Sequence, residues 1–291
     1  MLDADHWFTE FCEEAGSAFS LRIRGRLHEE RTPYQHIAIY ETTDFGHLMV
    51  IDGFVMLSSR DNFLYHEMLT HPVLFTHPHP RRVCIVGGGD CGTLREVLRH
   101  PGVESVVLVE IDERVTRLAE RYFPELCEAN GDPRAEFRFE DGIRWMQAAP
   151  PGRLDVIIVD STDPFGPGEG LFTASFYADC ARALGPDGLL VQQSESPLLH
   201  QDIIRGMFRA LGEGGFRACA PLFFPQPVYP GGWWSAILAG KQAIPGFRVD
   251  DAAARPFPTK YYNPDTHRGA LAVPGFFAEA LADLNSGLGQ G

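Results

Sequence analysis

Two carboxylates at the end of one apolar run are the residues of this chain best suited to acid–base chemistry. The run from Asp155 to Asp160 reads as a buried strand, and Asp163 follows three residues later, before a loop rich in glycine and proline. Carboxylates so placed face one crevice, where they can bind a metal, transfer a proton or hold an organic cation. The spacing alone leaves all of these uses open.

A glycine turn that ends in an acid predicts a nucleoside site. Gly87, Gly88 and Gly89 follow a short apolar run and precede Asp90. Glycine adopts positive φ angles at little cost and lets the backbone approach a ligand closely. A helical pattern follows over residues 93–99, so the segment reads as strand, glycine loop and helix.

A second acid supports this interpretation. Glu110 ends the next apolar run, about 20 residues past the glycines, where nucleoside-binding folds place the acid that holds the ribose hydroxyls. A solvent-facing glutamate after a tight turn is the alternative. Five acids in all fall at the carboxyl ends of predicted strands, more than solubility requires: Asp90, Glu110, Asp141, Asp160 and Asp163.

The histidines and serines favour neither a zinc centre nor a serine hydrolase. His66 and His71 miss the zinc-protease spacing by one residue, and Ser194 and Ser196 lack the glycines of a nucleophile elbow. We therefore expect no metal. An acidic pocket beside a nucleoside, suited to an amine substrate, is the remaining interpretation.

The segments that must position these residues fall into two groups. In residues 19–58 apolar and polar residues alternate between short turns, which predicts antiparallel hairpins. From Arg82 onward apolar strands alternate with amphipathic helices, which predicts a parallel sheet with right-handed crossovers. We expect an α/β fold with a small N-terminal antiparallel β domain at 1–62 and a Rossmann-like, class I methyltransferase-like catalytic domain at 63–291.

Composition and charge bound the class of protein. A chain of 291 residues with 44% hydrophobic content can fill a substantial core. The net charge of -14 argues against binding to nucleic acid or to an anionic membrane. The six cysteines form no CxxC pair, and no apolar stretch reaches the length of about 18 residues that suggests a membrane span. We therefore expect a cytoplasmic protein with free thiols.

A series of motifs runs through most of the chain: Tyr34-Gln35, Leu64-Tyr65-His66-Glu67-Met68, Gly87-Gly88-Gly89-Asp90 with Arg95-Glu96, Val109-Glu110-Ile111-Asp112, Asp141-Gly142, Asp160-Ser161-Thr162-Asp163-Pro164 with Gly166-Pro167, Leu171-Phe172, Tyr229-Pro230-Gly231-Gly232 and Lys260-Tyr261-Tyr262-Asn263-Pro264-Asp265-Thr266-His267-Arg268. On these motifs the sequence resembles, from Tyr34 to Phe277, the spermidine synthase family of polyamine aminopropyltransferases. The family's glycine signature usually has glycine where this chain has Cys91.

The resemblance implies transfer of the aminopropyl group of decarboxylated S-adenosylmethionine to an amine. The usual acceptor is putrescine, which gives spermidine and 5'-methylthioadenosine; cadaverine, agmatine and spermidine are alternative acceptors. By resemblance Asp160 accepts the proton of the attacking amine, and Tyr65 and Tyr229 orient its nitrogen. Asp163 and His66 would help to place the acceptor.

The resemblance also implies how the donor is held. Asp90, beside the glycines 87–89, would attract the donor's ammonium group and repel the carboxylate of ordinary S-adenosylmethionine. Glu110 would bind the ribose hydroxyls. The adenine edge and the thioadenosine pocket would involve Asp141, Gly142, Gln35 and Pro167. We expect the donor to act as a co-substrate with no tightly bound cofactor, and the protein to be a homodimer or homotetramer.

Other functions remain open at this stage. A class I methyltransferase would use intact S-adenosylmethionine on the same kind of sheet, although the acids at 90, 160 and 163 argue against it. A nucleoside or polyamine sensor would bind without catalysing. A nicotinamide oxidoreductase is disfavoured because the loop lacks a clean GxGxxG and acids would oppose a pyrophosphate.

Overall fold

The computed structural model describes residues 3–13, 15–164 and 166–282, which build two β-sheets flanked by helices. Within these residues no helix is both long and apolar enough to cross a membrane.

The N-terminal sheet is antiparallel, as the alternating pattern predicts. Its five strands pair in chain order, and Asp52 and Gly53 take positive φ angles of 51° and 94° in the tight turn between the last two. The first strand precedes the segment in which hairpins were predicted. The strands are β1 (Trp7–Cys12), β2 (Ser17–Arg31), β3 (His36–Thr42), β4 (His47–Ile51) and β5 (Phe54–Ser58).

The larger sheet alternates with helices and confirms the α/β prediction. Its strands are β6 (Arg82–Gly87), β7 (Ser105–Glu110), β8 (Ala135–Phe139), β9 (Leu154–Asp160), β10 (Leu184–Gln193), β11 (Ala218–Pro225) and β12 (Trp233–Gly240). The helices are α1 (Asn62–Thr76), α2 (Gly92–Leu98), α3 (Glu113–Tyr122), α4 (Gly142–Ala148), α5 (Ala174–Ala183), α6 (Gln201–Glu213), α7 (Val249–Ala253), α8 (Pro264–Ala270) and α9 (Gly275–Ala280).

The strand order is β11-β12-β10-β9-β6-β7-β8, and the sheet is mixed rather than wholly parallel. Strands β6 to β10 run parallel, whereas β12 runs antiparallel to both β10 and β11. A short turn through Pro230–Gly232 joins β11 to β12, and so short a connection permits only an antiparallel pair. The sequence prediction did not extend to these two strands.

Two hydrophobic layers hold the larger sheet, because successive residues of a strand face opposite sides. In β6, Ile85 packs in the layer that contains Leu69 of α1 and Leu94 of α2. Val86, the next residue, packs in the layer that contains Phe176 of α5. The layers fix the carboxyl ends of the central strands, where the acids lie.

Candidate active site

The glycine loop lies against the end of the neighbouring strand β9. Gly87 is paired with Asp160 across the two strands, and the Gly88 N–H donates to the Asp160 backbone oxygen over 2.7 Å. Gly87 has a φ of 80°, and a Cβ there would lie 2.2 Å from that oxygen. Any side chain at Gly87 would therefore separate the loop from Asp160.

Asp160 is a buried carboxylate held by two hydroxyl groups. The Tyr65 hydroxyl donates to its Oδ1 over 2.8 Å, and the Thr93 hydroxyl donates to its Oδ2 over 2.6 Å. Burial, followed by the charge of Asp90, raises the pKa of Asp160 to about 6, although both hydroxyl bonds act to lower it. A carboxylate with this pKa is ionised at neutral pH yet can accept a proton.

Tyr65 and Tyr229 both line the cleft beside Asp160. Their ring centroids are 5.9 Å apart, and the Tyr229 hydroxyl donates to the Met56 backbone oxygen over 2.6 Å. Burial and the charge of Asp160 raise the pKa of both tyrosines well above the usual range, so both remain protonated. Since each hydroxyl already donates its proton, its oxygen lone pairs are free to accept an N–H from a substrate amine.

Asp90 forms a buried ion pair with His66. His66 Nε2 lies 3.2 Å from Asp90 Oδ1, and the Gly92 N–H donates to the same oxygen over 2.6 Å. Burial opposes both charges, but the mutual attraction and hydrogen bond outweigh it, lowering the pKa of Asp90 and raising that of His66. Asp90 lines the cleft, and His66, which was predicted to help place the acceptor, contacts Asp90 and is only 1% exposed.

Glu110 sits opposite the glycine loop. Its carboxylate accepts the N–H groups of Gly89, over 3.1 Å, and of Asp112, over 2.9 Å. Burial, with a contribution from the charge of Asp112, raises the pKa of Glu110 to about 7. Asp112 in turn accepts from the Gln35 side chain over 3.0 Å, which ties the N-terminal sheet to the rim of the larger sheet.

Asp141 has a structural contact as well as a place in the cleft. Its Oδ1 caps α4 by accepting the N–H of Ile143 over 2.8 Å, while Asp141 and Gly142 both line the cleft. The predicted role of the Pro167 side chain lies outside the described part of the structure.

The cleft that these residues surround has a volume of about 920 Å³. Part of its lining is polar and consists of the acids, the tyrosines, Gln35 and the glycine loop. Most of the site residues predicted from sequence are brought together in this cleft: Gln35, Tyr65, the glycines 87–89, Asp90, Glu110, Asp141, Gly142, Asp160 and Tyr229. The rest of the wall is apolar and comes from both sheets: Met49, Ile51, Met56, Val86, Val109, Ile111, Val115, Ile143 and Leu171.

Sequence reasoning assigned no role to the apolar wall, to Thr93 or to Asp112. Thr93 comes just after the glycine loop, and Asp112 comes two residues after Glu110. Their positions next to these predicted site residues could have marked both as candidates. Met49 and Ile51 read only as strand residues, because alternation predicts which face is buried but not what it covers.

A second acidic group extends the cleft beyond the two tyrosines. A smaller cavity of about 340 Å³ shares Tyr65 and Tyr229 with the cleft and is also lined by Asp163 and Glu10. Glu10, on β1, accepts the Val55 N–H over 2.6 Å, and burial raises its pKa to about 7.

Asp163 and Glu195 lie together at this second group. Burial and the charge of Glu195 raise the pKa of Asp163 well above its usual range, and burial raises the pKa of Glu195 to about 7. Two neighbouring buried carboxyls cannot both ionise cheaply, so their mutual repulsion and burial favour the protonated form of one of them. Within the described residues, no group of three or more His, Cys, Asp or Glu side chains is arranged to hold a metal ion.

Two family descriptions match the chain. Residues 62–249 match the "Spermine/spermidine synthase domain", and residues 6–59 match the "Spermidine synthase tetramerisation domain". The chain is 63% identical to a polyamine aminopropyltransferase of Methylococcus capsulatus over 98% of this chain and 100% of that protein. It is 64% identical to one of Nitrosococcus oceani over 96% of this chain and 98% of that protein.

Solved structures agree with these sequence relatives. A crystal structure of a spermidine synthase in complex with the transition state analogue AdoDATO has a TM-score of 0.92 and 33% identity, and each chain is covered to 96%. The spermidine synthase from Thermotoga maritima has a TM-score of 0.90 and 33% identity, over 96% of this chain and 95% of that one.

Proposed function

The chain belongs to the spermine/spermidine synthase family and is an aminopropyltransferase, and we propose that it transfers the aminopropyl group of decarboxylated S-adenosylmethionine to putrescine. The products are spermidine and 5'-methylthioadenosine. One observation carries the proposal: the buried Asp160 carboxylate, which adjoins the glycine loop and accepts the Tyr65 hydroxyl, lines the same cleft as Tyr229 and Asp90.

Asp160 acts as the proton acceptor. An alkylamine with a pKa near about 10 is protonated at neutral pH and has no lone pair with which to attack. As the nitrogen approaches the carbon beside the sulfonium, its proton passes to Asp160, the new C–N bond forms, and the C–S electrons return to sulfur. The oxygens of Tyr65 and Tyr229 accept the remaining N–H groups and hold the nitrogen in line.

Asp90 selects the donor. His66 and the Gly92 N–H keep its carboxylate ionised, so a negative charge faces the cleft at neutral pH. The decarboxylated donor places only an ammonium group there, whereas ordinary S-adenosylmethionine adds a carboxylate. Repulsion between two desolvated carboxylates costs several kcal/mol, which is enough to exclude the commoner nucleotide.

The nucleoside part fits the mixed character of the cleft. Glu110 lines the cleft with one carboxylate oxygen bonded to the glycine loop and the other to the Asp112 N–H, a position that suits binding of the ribose hydroxyls. Asp141, Gly142, Gln35 and the backbone of residue 167 would surround the adenine. The apolar residues from both sheets supply surfaces for the flat ring.

The acceptor extends from Asp160 toward the second acidic group. A diamine has a distal ammonium, and the partly protonated carboxyls of Asp163, Glu195 and Glu10 provide its counter-charge. In a short diamine such as putrescine, the distal ammonium would lie beside Asp163 and Glu10, which line the cavity next to the tyrosines. Cadaverine is the nearest competitor because it differs by one methylene.

The two parts of the chain have separate tasks in this proposal. Residues 63–291 form the catalytic domain, while residues 1–62 supply Glu10 and Gln35 to the site. The match of residues 6–59 to a tetramerisation domain supports assembly of the N-terminal sheets into a homodimer or homotetramer.

The direct test is release of 5'-methylthioadenosine from decarboxylated S-adenosylmethionine. Putrescine, cadaverine, agmatine and spermidine are supplied separately, and intact S-adenosylmethionine serves as the control donor. We expect release with putrescine and little with the control donor. Equal release with a longer amine would reassign the acceptor, and methylation of the amine by the control donor would point to a methyltransferase.

A further inference from the structure

A thiol, an imidazole and a carboxylate lie in a row at the outer end of the acidic cavities. Cys12 Sγ is 3.7 Å from Nε2 of His200, and Nδ1 of the same ring is 3.0 Å from Oε2 of Glu195. Cys12 ends β1, whereas Glu195 and His200 lie in the connection between β10 and α6, so two segments remote in sequence build this row. Cys12 and His200 have no part in the group transfer described above, whereas Glu195 also belongs to the proposed acceptor site.

The arrangement is chemically competent for thiol activation. A thiolate, not a thiol, is the attacking form of cysteine, and an imidazole in contact with sulfur can take the thiol proton. The Glu195 carboxyl lies close to the other ring nitrogen, although Nδ1 makes no hydrogen bond of good geometry within the described residues. Glu195 is 1% exposed, and its second oxygen, Oε1, has no hydrogen-bond partner in the described part of the chain.

Cys12 differs from the other cysteines in having both a base and an opening. Cys84, Cys91, Cys180 and Cys219 are buried. Cys127 is half-buried like Cys12, but its Sγ points to the Asp90 backbone oxygen at 3.8 Å. Cys12 and His200 instead line an open cavity of about 840 Å³, which continues past Asp163 toward the tyrosines.

The charge of this cavity decides which reagents reach the thiol. Its wall includes Glu10, Glu13, Asp163 and Glu195, and His200 is the only basic side chain among its described lining residues. Such a wall attracts cations and repels anions. The structure therefore favours small, positively charged reagents at Cys12.

We propose that Cys12, with His200 as its base, is a modification site for small disulfides that carry an ammonium group. The thiol proton moves to His200 Nε2, Cys12 Sγ attacks one sulfur of the disulfide, and the S–S bond breaks. The departing sulfur takes its electron pair and then the proton from His200, so the step leaves one mixed disulfide and one free aminothiol. The bound ammonium then occupies the acidic cavity beside Glu10 and Asp163.

Intact-protein and peptide mass spectrometry test the chemistry without reference to turnover. The probe is cystamine, and the comparison reagent is the anionic disulfide 5,5'-dithiobis(2-nitrobenzoate). We expect one aminoethanethiol adduct on Cys12, formed about tenfold faster than the anionic adduct, because the wall concentrates cations. Cys12→Ser should lose the adduct, whereas the matched variant Cys127→Ser should keep it. Labelling at Cys127 instead, or faster reaction with the anion, would overturn the proposal.

His200→Gln tests the base. Neutral iodoacetamide labels accessible thiols, and the ratio of Cys12 to Cys127 labelling within one molecule serves as an internal standard against changes in overall folding. We expect the ratio to fall about tenfold, since an adjacent general base contributes at least that much. An unchanged ratio would show that His200 does not activate Cys12 and that Cys12 reacts as an ordinary half-buried thiol, which would contradict the proposal.

Inhibition is a separate readout that rests on the proposed acceptor site. Cystamine should inactivate the native enzyme but not Cys12→Ser, each compared with its own untreated rate, and a dithiol reductant should restore activity. Excess putrescine should slow adduct formation. If the adduct forms without inhibition and without protection by putrescine, the modification of Cys12 is supported and the acceptor binds elsewhere. If no adduct forms, the proposal for Cys12 is wrong, and the proposed acceptor site is unaffected.

Discussion

The Asp160 carboxylate accepts hydroxyl bonds on both oxygens, from Tyr65 and from Thr93, and it is nearly inaccessible to water. A group held in this way keeps one orientation, so it can receive a proton only from an atom placed within the cleft. A fixed orientation of this kind is needed for a general base, whereas a carboxylate that only balances the charge of a ligand does not need it.

Replacement of Asp160 by asparagine should abolish transfer while leaving donor binding largely intact. The amide cannot accept the proton, and loss of a general base costs about 10²- to 10⁴-fold in rate. The measurement is the single-turnover rate alongside donor affinity by calorimetry. Asp155→Asn, at the opposite end of the same strand, is the control for rate and should not lose turnover to this degree; normal turnover of Asp160→Asn would show that another group takes the proton.

The pH dependence of turnover should report the same carboxylate. Because the pKa of Asp160 is raised to about 6, the base is protonated and inactive below that pH, and the rate should rise through pH 6 to a plateau. Thr93→Val removes a hydrogen bond that lowers this pKa, so the rising limb should move to higher pH. The matched variant Thr70→Val, at a buried threonine outside the cleft, should leave the limb in place. A limb that stays fixed in Thr93→Val would assign it to a different group.

At the scale of elements, the site depends on how closely the loop after β6 approaches the end of β9. The loop follows a backbone path with positive φ at both Gly87 and Gly88 and at Cys91, where φ is 69°. Cysteine is unusual in this left-handed conformation, which costs about 1–2 kcal/mol for a residue with a Cβ. The loop therefore tolerates a side chain at Cys91, where Sγ packs near the Gly89 oxygen at 3.5 Å, but not at Gly87.

Gly87→Ala should disrupt donor binding far more than a glycine substitution elsewhere. Its Cβ would meet the Asp160 backbone oxygen at 2.2 Å, and the residue already has a φ of 80°. We expect donor affinity to fall by at least about tenfold and unfolding free energy to fall by about 1–3 kcal/mol. Calorimetry and urea denaturation measure the two effects. Gly102→Ala is the control, because nothing lies within 4 Å of a Cβ there; equal effects of the two variants would contradict the close-approach argument.

The elements of the central sheet were the most predictable part of the fold. Strong apolar runs at β6, β7 and β9, each followed by a glycine or an acid, locate the strand ends and with them Asp90, Glu110 and Asp160. The hairpin of β11 and β12 carries a turn marker at Pro230–Gly232, but no strands were predicted on either side of it, so its reversal was not foreseen. Local pattern gives strand character but not strand direction.

At the scale of the whole molecule, the site is closed by parts of the chain that are far apart in sequence. Glu10 of β1 shares a cavity with Asp163, and Gln35 bonds to Asp112. Such pairings arise only when the N-terminal sheet packs on the larger one. The sequence therefore predicted the acids at the strand ends, whereas Glu10 carried no signal, because its strand was not predicted and its partners belong to another sheet.

The buried acids also make the unliganded molecule sensitive to pH. Glu10 has a pKa of about 7 in the folded chain against an ordinary value of 4.5, so its ionisation is harder in the folded state than in the unfolded state. The unfolded chain therefore loses this proton first. Folding stability falls as pH rises from the unfolded value through 7, by up to about 3 kcal/mol from this residue.

Glu10→Gln should remove this penalty and at the same time weaken the response to amine. The amide keeps an oxygen to accept the Val55 N–H but cannot become charged. We expect the variant to unfold at a higher temperature than the native chain at pH 8 and at a similar temperature at pH 5.

Putrescine should raise the unfolding temperature of the native chain more at pH 8 than at pH 5, because a dication stabilises the ionised carboxyls. This increase should be smaller in Glu10→Gln. Thermal unfolding at both pH values, with Glu41→Gln as an exposed control, measures all of these differences. A variant less stable than the native chain at pH 8, or equally stabilised by putrescine, would mean that Glu10 is held ionised by another partner and does not serve the amine site.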